Sequence, residues 1–160
     1  MNDFCFVNSP IGILELKAEF NFISRIKFRE GNSLQLYKKS KKVGKSPTLT
    51  EASKQIDEYF NGTRKLFEIP IQLNVPPFYR KVLSEVQKVK YGDVAYYGKI
   101  AQMAGSNKAA RVVGTANAKN LLQVIIPCHR IISSNGNIGG YLAGVDKKLF
   151  LLEHENSSFN

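Results

Sequence analysis

The chain of 160 residues is 43% hydrophobic, enough to bury a core as one domain or as two small ones. No apolar stretch approaches the roughly 20 residues that span a bilayer, and the N-terminus, with Asp3 and Asn8, lacks the basic and apolar regions of a secretory signal; a membrane span is excluded and the cytoplasm is the expected location, or the nucleus in a eukaryote. Lys plus Arg number 23 against 13 acids, a formal net charge of +10, and such a balance favours polyanionic partners, nucleic acid first among them.

Residues 1–75 read as an α/β unit. Alternating apolar residues predict strands over Phe4–Val7, Ile11–Ala18 and Phe22–Phe28, joined by turns at Pro10 and at Glu19–Asn21 into an antiparallel meander. The basic run Lys38-Lys39-Ser40-Lys41-Lys42 precedes Gly44, Ser46 and Pro47 and reads as a solvated loop. Thr48 or Thr50 can cap a helix with Leu49, Ala52, Ile56, Tyr59 and Phe60 on its apolar face, ending at Asn61-Gly62. An extended segment over Leu66–Leu73 leads to Pro76-Pro77, which neither donate backbone hydrogen bonds nor bend readily, and which serve as the boundary between domains 1–75 and 76–160.

Past the prolines the period becomes helical. Phe78, Val82, Val86 and Val89 share one face, closed by Tyr91-Gly92-Asp93. A short helix over Tyr97–Ala104, a stop at Gly105, caps available at Ser106 or Asn107, and a second helix over Lys108–Ala118 spell a helix-turn-helix. The second helix carries small side chains and one Arg, Arg111. Small residues allow close backbone approach to a narrow surface such as a minor groove, and packing against a neighbouring helix would favour the same composition. This later half holds 11 basic and 5 acidic residues from Val75 onward, the more basic part of the chain.

Two cysteines, Cys5 and Cys128, and two histidines, His129 and His154, are all the Cys and His residues of the chain. No zinc spacing occurs among them, so no metal is expected and Cys5 reads as a strand-core residue. Pro127-Cys128-His129-Arg130, between Val124-Ile125-Ile126 and Ile131-Ile132, sets a nucleophile beside an imidazole. A free thiol is only slightly ionised at neutral pH, and a neighbouring base raises its thiolate fraction. A buried Cys next to a His is also a common packing arrangement, and the flanks must decide between the two.

The flanks resemble the O6-alkylguanine-DNA alkyltransferases, also called methylated-DNA–protein-cysteine methyltransferases. Ile125-Ile126-Pro127-Cys128-His129-Arg130-Ile131-Ile132 is similar to the family's active-site signature, and Gly139-Gly140-Tyr141 follows at the family's usual interval. Tyr91-Gly92-Asp93-Val94 with Tyr97, Lys108-Ala109-Ala110-Arg111-Val112-Val113-Gly114, Asn120, and Leu151-Leu152-Glu153-His154-Glu155 also match in order. The likeness covers Phe78 to Glu155 and fades to Ser9-Pro10-Ile11-Gly12 and Tyr59-Phe60-Asn61-Gly62 before it.

The resemblance implies an α+β protein, with a ribonuclease H-like sheet and helix followed by a mostly helical DNA-binding domain. It implies one irreversible transfer of an alkyl group from O6-alkylguanine in double-stranded DNA to Cys128, with no cofactor, by a protein acting as a monomer; O4-alkylthymine is a secondary candidate substrate. His129 would relay the thiol proton through a water, Glu155 would fix the imidazole, and Asn120 would hold the turn between helix and site. Arg111 would replace the extruded base, Tyr97 would crowd the adjoining phosphate, and Ala109, Ala110, Gly114 and Thr115 would lie along the minor groove. Tyr141, Gly139, Leu142 and Ile131 would line the pocket. Leu142-Ala143-Gly144 departs from the Ser or Arg-Trp of many relatives, which leaves pocket width open. Arg130 reads as a structural partner of a carboxylate and His154 as a surface residue. The alternatives are an alkylated-DNA-binding protein that recruits other repair factors without transfer, which would carry Trp in place of Cys128, and an unrelated Cys-His hydrolase.

Overall fold

The computed structural model describes residues 2–30, 35, 37, 38, 46–106 and 110–157. The chain forms two compact units, Met1–Asn74 and Val75–Asn160. Most of the basic run after Lys38, and Asn107, Lys108 and Ala109, lie outside the described residues. Among the described residues no helix is long and apolar enough to cross a membrane.

The first unit is a meander of β1 (Asn2–Ser9), β2 (Gly12–Glu19) and β3 (Phe22–Arg29), antiparallel in the order β1-β2-β3. Helix α1 (Pro47–Phe60) packs on this sheet. Cys5, Leu14, Leu16, Ile23 and Ile26 meet Leu49, Ala52, Ile56 and Tyr59 in a fully buried core. Cys5 is thus a core residue, with its sulfur 3.4 Å from Ser53 Oγ.

The cap of α1 corrects the expected Thr48 or Thr50. Ser46 Oγ accepts from the Leu49 N–H at 3.3 Å, and Pro47 occupies the first helical position, where the missing N–H costs nothing because no partner for it exists. Asp3 Oδ2 accepts from the Ser46 N–H at 2.7 Å and ties the cap to β1. The segment over residues 66–73 makes a single parallel bridge, Ile23 with Ile71. Pro70 beside it has no N–H to extend a ladder.

The second unit begins with another correction. Pro76 and Pro77 do not form an extended spacer: Pro76 is the N-cap and Pro77 the first residue of α2 (Pro77–Gln87). Helix α2 buries Val82, Leu83 and Val86, while Phe78, in the first turn, stays 42% exposed. Strand β4 (Ala95–Tyr96) runs directly into α3 (Tyr97–Met103), and α4 (Ala110–Ala118) follows the turn. Gly105 has φ +82°, its N–H reaches Gln102 O at 3.0 Å, and the Ser106 N–H reaches Ala101 O at 2.9 Å. This doubly bonded left-handed stop ends α3 abruptly and lets α4 pack back on α2 and α3. Strand β5 (Ile131–Ile132) pairs parallel with β4, Ala95 opposite Ile131 and Tyr96 opposite Ile132. Helix α5 (Val145–His154) closes the unit. The pairing of β4 with β5 sets Tyr97 beside the segment that follows Cys128.

Candidate active site

The turn from α4 to Cys128 is held by one side chain. Asn120, 1% exposed, accepts from the Leu122 N–H at 2.9 Å with its oxygen and donates with Nδ2 to Ile126 O at 2.9 Å and to Cys128 Sγ at 3.2 Å. Within this turn Val124 has φ +72°, a left-handed conformation that costs a β-branched residue about 1–2 kcal/mol. The Ile126 N–H to Leu122 O bond at 2.9 Å and the Asn120 bonds hold it there. Cys128, His129 and Arg130 then form one 3-10 turn, which places the thiol and the imidazole on successive faces of a tight bend.

His129 is fully buried. Its Nε2 lies 2.9 Å from Glu155 Oε1, while its Nδ1 is buried without a protein hydrogen-bond partner. Burial, with the charges of Arg130 and Lys148, pushes the imidazole pKa down against the pull of Glu155, so the ring is neutral at pH 7. Since a carboxylate can only accept, the proton sits on Nε2 and the free lone pair on Nδ1.

Burial works to raise the Glu155 carboxyl, but hydrogen bonds from His129 and Arg130 outweigh it and hold the group well below the usual carboxylate range. Arg130 clasps Glu155 with two donors, Nε to Oε2 at 2.9 Å and NH2 to Oε1 at 2.8 Å, and anchors NH1 on Val89 O at 2.6 Å. Tyr91 lies under the guanidinium at 5.8 Å. Glu155 itself is the C-cap of α5, closed by Asn156 at φ +54° and by the Ser157 N–H to Leu152 O bond at 2.9 Å. His154 is half-buried rather than on the surface, its ring stacked at 6.0 Å on Phe150.

Cys128 is 3% exposed. Burial pushes its thiol up, and the Asn120 amide, the Lys148 charge and backbone N–H groups only partly offset that. The free protein therefore holds a thiol at neutral pH: a base is present beside it, yet desolvation of the sulfur dominates.

Lys148 is the residue that sequence reading missed. It is fully buried, donating to Ile131 O at 2.6 Å, Gly140 O at 3.1 Å and Tyr97 OH at 3.4 Å. Burial pushes its pKa down to about 8 against the pull of Cys128. A signal was available: Lys148, Leu151, Leu152 and Glu155 fall at i, i+3, i+4 and i+7, one face of α5, and all four are buried.

A cavity of about 250 Å³ opens over Cys128, lined by Gly114, Asn117 and Ala118 from α4 and by Gly140, Tyr141 and Leu142 from the loop after β5. Tyr141 and Leu142 thus meet at the cavity with the thiol, and Leu142, 61% exposed, stands at its mouth. Burial, then the charges of Cys128 and Glu155, raise the Tyr141 phenol well above its ordinary range, so it is a neutral hydroxyl.

Ile131 and Gly139 lie outside this lining. Ile131 is fully buried with its carbonyl on Lys148. Gly139, at φ +79°, packs so closely on Tyr97 that a Cβ would stand 2.6 Å from the phenol oxygen. Arg111, Ala110 and Thr115 are exposed on α4, Gly114 is half-buried, and Ala109 lies outside the described residues. Gly140, part of the quoted Gly139-Gly140-Tyr141 motif, joins the lining, while Asn117, Ala118 and Lys148 are the residues of this region that the motif pattern did not single out.

A buried thiol, a neutral imidazole with a free lone pair and a carboxylate orienter suit a single nucleophilic displacement at an electrophilic carbon. Two family models match the chain: the 6-O-methylguanine DNA methyltransferase ribonuclease-like domain over residues 4–73, and the DNA-binding domain of the same family over residues 77–157. A methylated-DNA–protein-cysteine methyltransferase of Methanosarcina acetivorans is 35% identical over 149 residues, 93% of this chain and 95% of that protein. A constitutive one of Bacillus subtilis is 34% identical over 162 residues, 99% of this chain and 98% of that protein. The crystal structure of Mycobacterium tuberculosis OGT in complex with DNA superposes with a TM-score of 0.83 at 31% identity, covering 96% of this chain and 92% of that one. The two matched models together span nearly the whole sequence, and the chain belongs to the 6-O-methylguanine DNA methyltransferase family.

Proposed function

We propose that the protein repairs DNA by moving an alkyl group from O6 of guanine in a duplex onto Cys128, once per molecule. The observation that carries this reading is the buried Cys128 thiol on the floor of a cavity, next to a neutral His129 whose Nε2–H is held by Glu155 and whose Nδ1 has no protein partner. In the proposed step, Nδ1 takes the thiol proton through a bridging water, sulfur attacks the O-alkyl carbon, the carbon–oxygen bond breaks and its electron pair passes into the guanine ring. The purine then takes up a proton, so the net change moves the alkyl group to sulfur and one hydrogen to guanine. The Tyr141 hydroxyl and the backbone of the Gly139–Leu142 loop would stabilise the departing base. A thioether is not opened by cellular reductants, so Cys128 is used once and no cofactor takes part.

Access requires the base to leave the stack, at a cost of a few kcal/mol. Arg111, exposed on α4, would fill the space left behind, and Ala110, Gly114 and Thr115 would let the helix backbone approach the minor groove. Tyr97, where α3 begins, would press on the adjoining phosphate. The protein would act as a monomer, and its two free, buried thiols suit the reducing cytoplasm.

Intact-protein mass spectrometry after incubation with a methylated duplex tests this reading. One added methylene mass per protein, on the peptide carrying Cys128 and absent in Cys128→Ala, is expected. Release of product over many cycles, as a Cys-His hydrolase would give, or binding without any mass change, would reject it.

A further inference from the structure

Alternation along the three strands gives the sheet of the first unit a second face, opposite the one that carries Cys5, Leu14, Leu16 and Ile26. In register across β1, β2 and β3, Phe4, Lys17 and Arg25 form one row of it, and Glu19 with Phe22 the row beside the β2–β3 turn. At its other end Phe6 and Ile13 are buried. The end toward the turn is open and aromatic: Phe4 is 47% exposed, Phe22 44%, and Phe20, in the turn itself, 79%.

Folding does not account for Phe20. The turn is a two-residue hairpin loop, Phe20-Asn21, closed by the Glu19–Phe22 pair, with both loop residues at positive φ, +49° and +68°. That conformation suits Asn or Gly and strains a bulky side chain. Asn21 fits it, whereas Phe20 costs stability and buries little of its ring in return. A strained, exposed aromatic beside two further exposed rings is a surface kept for a partner rather than for the core.

The charges of the same face restrict that partner. Lys17, Arg25, Lys27 and Arg29 share it with Glu15 and Glu19. Lys17 neutralises Glu19 at 2.7 Å. Glu15 lies 3.8 Å from Arg25 and 3.3 Å from Arg29, and at 15% side-chain exposure it is more buried than those two cations, which are 40% and 37% exposed. The outward surface is therefore cationic, with flat apolar rings set among the charges. A polyanion whose own flat groups are free to stack answers both features, and single-stranded DNA is such a polymer: its phosphates pair with the cations and its unstacked bases lie on the rings. A duplex keeps its base faces stacked and cannot use the rings. An anionic lipid surface would meet the charges, but Lys17 and Arg25 stand in the same row as Phe4 and break the continuous apolar face that insertion needs.

We propose that this outer face of the N-terminal sheet binds single-stranded DNA, with Phe4, Phe20 and Phe22 stacking on bases while Lys17, Arg25 and Lys27 hold the phosphates between them. Phe4 and Phe22 lie two strands and one row apart, about 12 Å by sheet spacing, so separate bases of one extended strand occupy them. The surface belongs to the first unit alone and does not depend on the transfer step at Cys128.

The test uses the full chain and an oligothymidylate of about 12 nucleotides that carries 5-iodouracil. Irradiation of the complex should cross-link β1 or the β2–β3 hairpin, as mapped by peptide mass spectrometry, and this measurement needs no variant. Phe20→Asn should weaken binding at least about fivefold, the loss of one stacked base, while raising the thermal midpoint, because Asn suits the turn. Arg25→Gln should reduce the slope of log affinity against log salt by about 0.7. Both variants should react with free O6-benzylguanine at the unaltered rate, which keeps a failure of this surface separate from a failure of alkyl transfer. Cross-links confined to residues 76–160, or an affinity of Phe20→Asn within about twofold of the unaltered protein, would overturn the assignment. Binding to phosphatidylserine vesicles with no cross-link to the oligonucleotide in the first unit would overturn it in favour of a lipid surface.

Discussion

Glu155→Gln keeps the volume of the side chain and removes its charge from a buried cluster. Three donors converge on the carboxylate, His129 Nε2 and Arg130 Nε at 2.9 Å each and Arg130 NH2 at 2.8 Å. An amide offers one oxygen and turns an NH2 toward the place of the second, so at least one Arg130 donor faces another donor. The guanidinium cannot escape to water cheaply, because NH1 is fixed on Val89 O at 2.6 Å. Removing one partner of such a buried pair costs about 3–5 kcal/mol. With a urea slope of about 2 kcal/mol per molar, the midpoint of the second unit should fall by about 2 M. The chain contains no Trp, so circular dichroism is the suitable probe. The pH dependence has a definite sign: the folded carboxyl titrates below its ordinary value of 4.5, so its stabilisation is complete above that value and is lost as the pH falls below it. Glu155→Gln should accordingly show a flatter acid limb than the unaltered protein. The same amide can donate to His129 Nε2 and drive the imidazole proton onto Nδ1, which would also slow alkylation. A midpoint within about 0.3 M of the unaltered value, together with an unchanged acid limb, would refute the view that this cluster holds the site together.

Other perturbations read out separate parts of the site. Gly139→Ala adds a Cβ 2.6 Å from Tyr97 OH at a backbone φ of +79°; it should cost about 1–2 kcal/mol of stability in differential calorimetry and slow alkylation, with Tyr97→Phe in the same chain restoring part of the stability. For Lys148→Met the expected signature lies in the alkaline range. The buried ammonium titrates near 8 instead of 10.5, so between those values the unfolded chain keeps a proton that the folded one has shed, and the unaltered protein gains about 3 kcal/mol relative to the variant as pH rises through that window. Parallel denaturation curves at pH 7.5 and pH 10, with no change in the stability difference, would contradict this. Arg111→Ala should lower the rate on lesion-containing duplex at least about tenfold while leaving the reaction with free O6-benzylguanine intact; equal loss on both would make Arg111 a structural residue only.

The parts of this fold that follow from short-range rules were legible. Alternation marked the three strands of the meander, and Gly105 marked the stop of α3, where it adopts φ +82°, because periodicity and left-handed backbone leave a local trace. Where two local rules competed, the sequence alone favoured the wrong one. Pro76-Pro77 satisfies the requirements of a stiff spacer and equally those of a helix start, and the chain uses the second; Thr48 and Thr50 are acceptable caps, but Pro47 fits the first helical position and so leaves the cap to Ser46. The chemistry of Cys128, His129 and Glu155 was visible as a pattern of residue types, yet the protonation state of the thiol was not, since it depends on how much water the fold removes from the sulfur.

Lys148 and Asn117 show why side-chain type alone underdetermines a site. Lys147-Lys148, beside Asp146 in the first turn of α5, looks like a solvated pair, and most lysines so placed are. What distinguishes Lys148 is its register with Leu151, Leu152 and Glu155, which carries it under the loop, where its ammonium bridges Ile131 O at 2.6 Å to Gly140 O at 3.1 Å and so joins the segment behind Cys128 to the cavity wall. Removing that ammonium would take its bond from the buried Ile131 carbonyl, at a cost of about 1–3 kcal/mol. Asn117 is the converse case. It shares its helix face with Gly114 and Ala118, where a small-residue surface for DNA would make any polar side chain look incidental. Its carboxamide oxygen, buried without a hydrogen-bond partner, stands out only once the partners of every neighbouring group have been accounted for. Register fixes which face a residue occupies, but the hydrogen-bond balance of that face is a property of the folded surroundings, and it is there that this chain carries the chemistry its motifs do not spell.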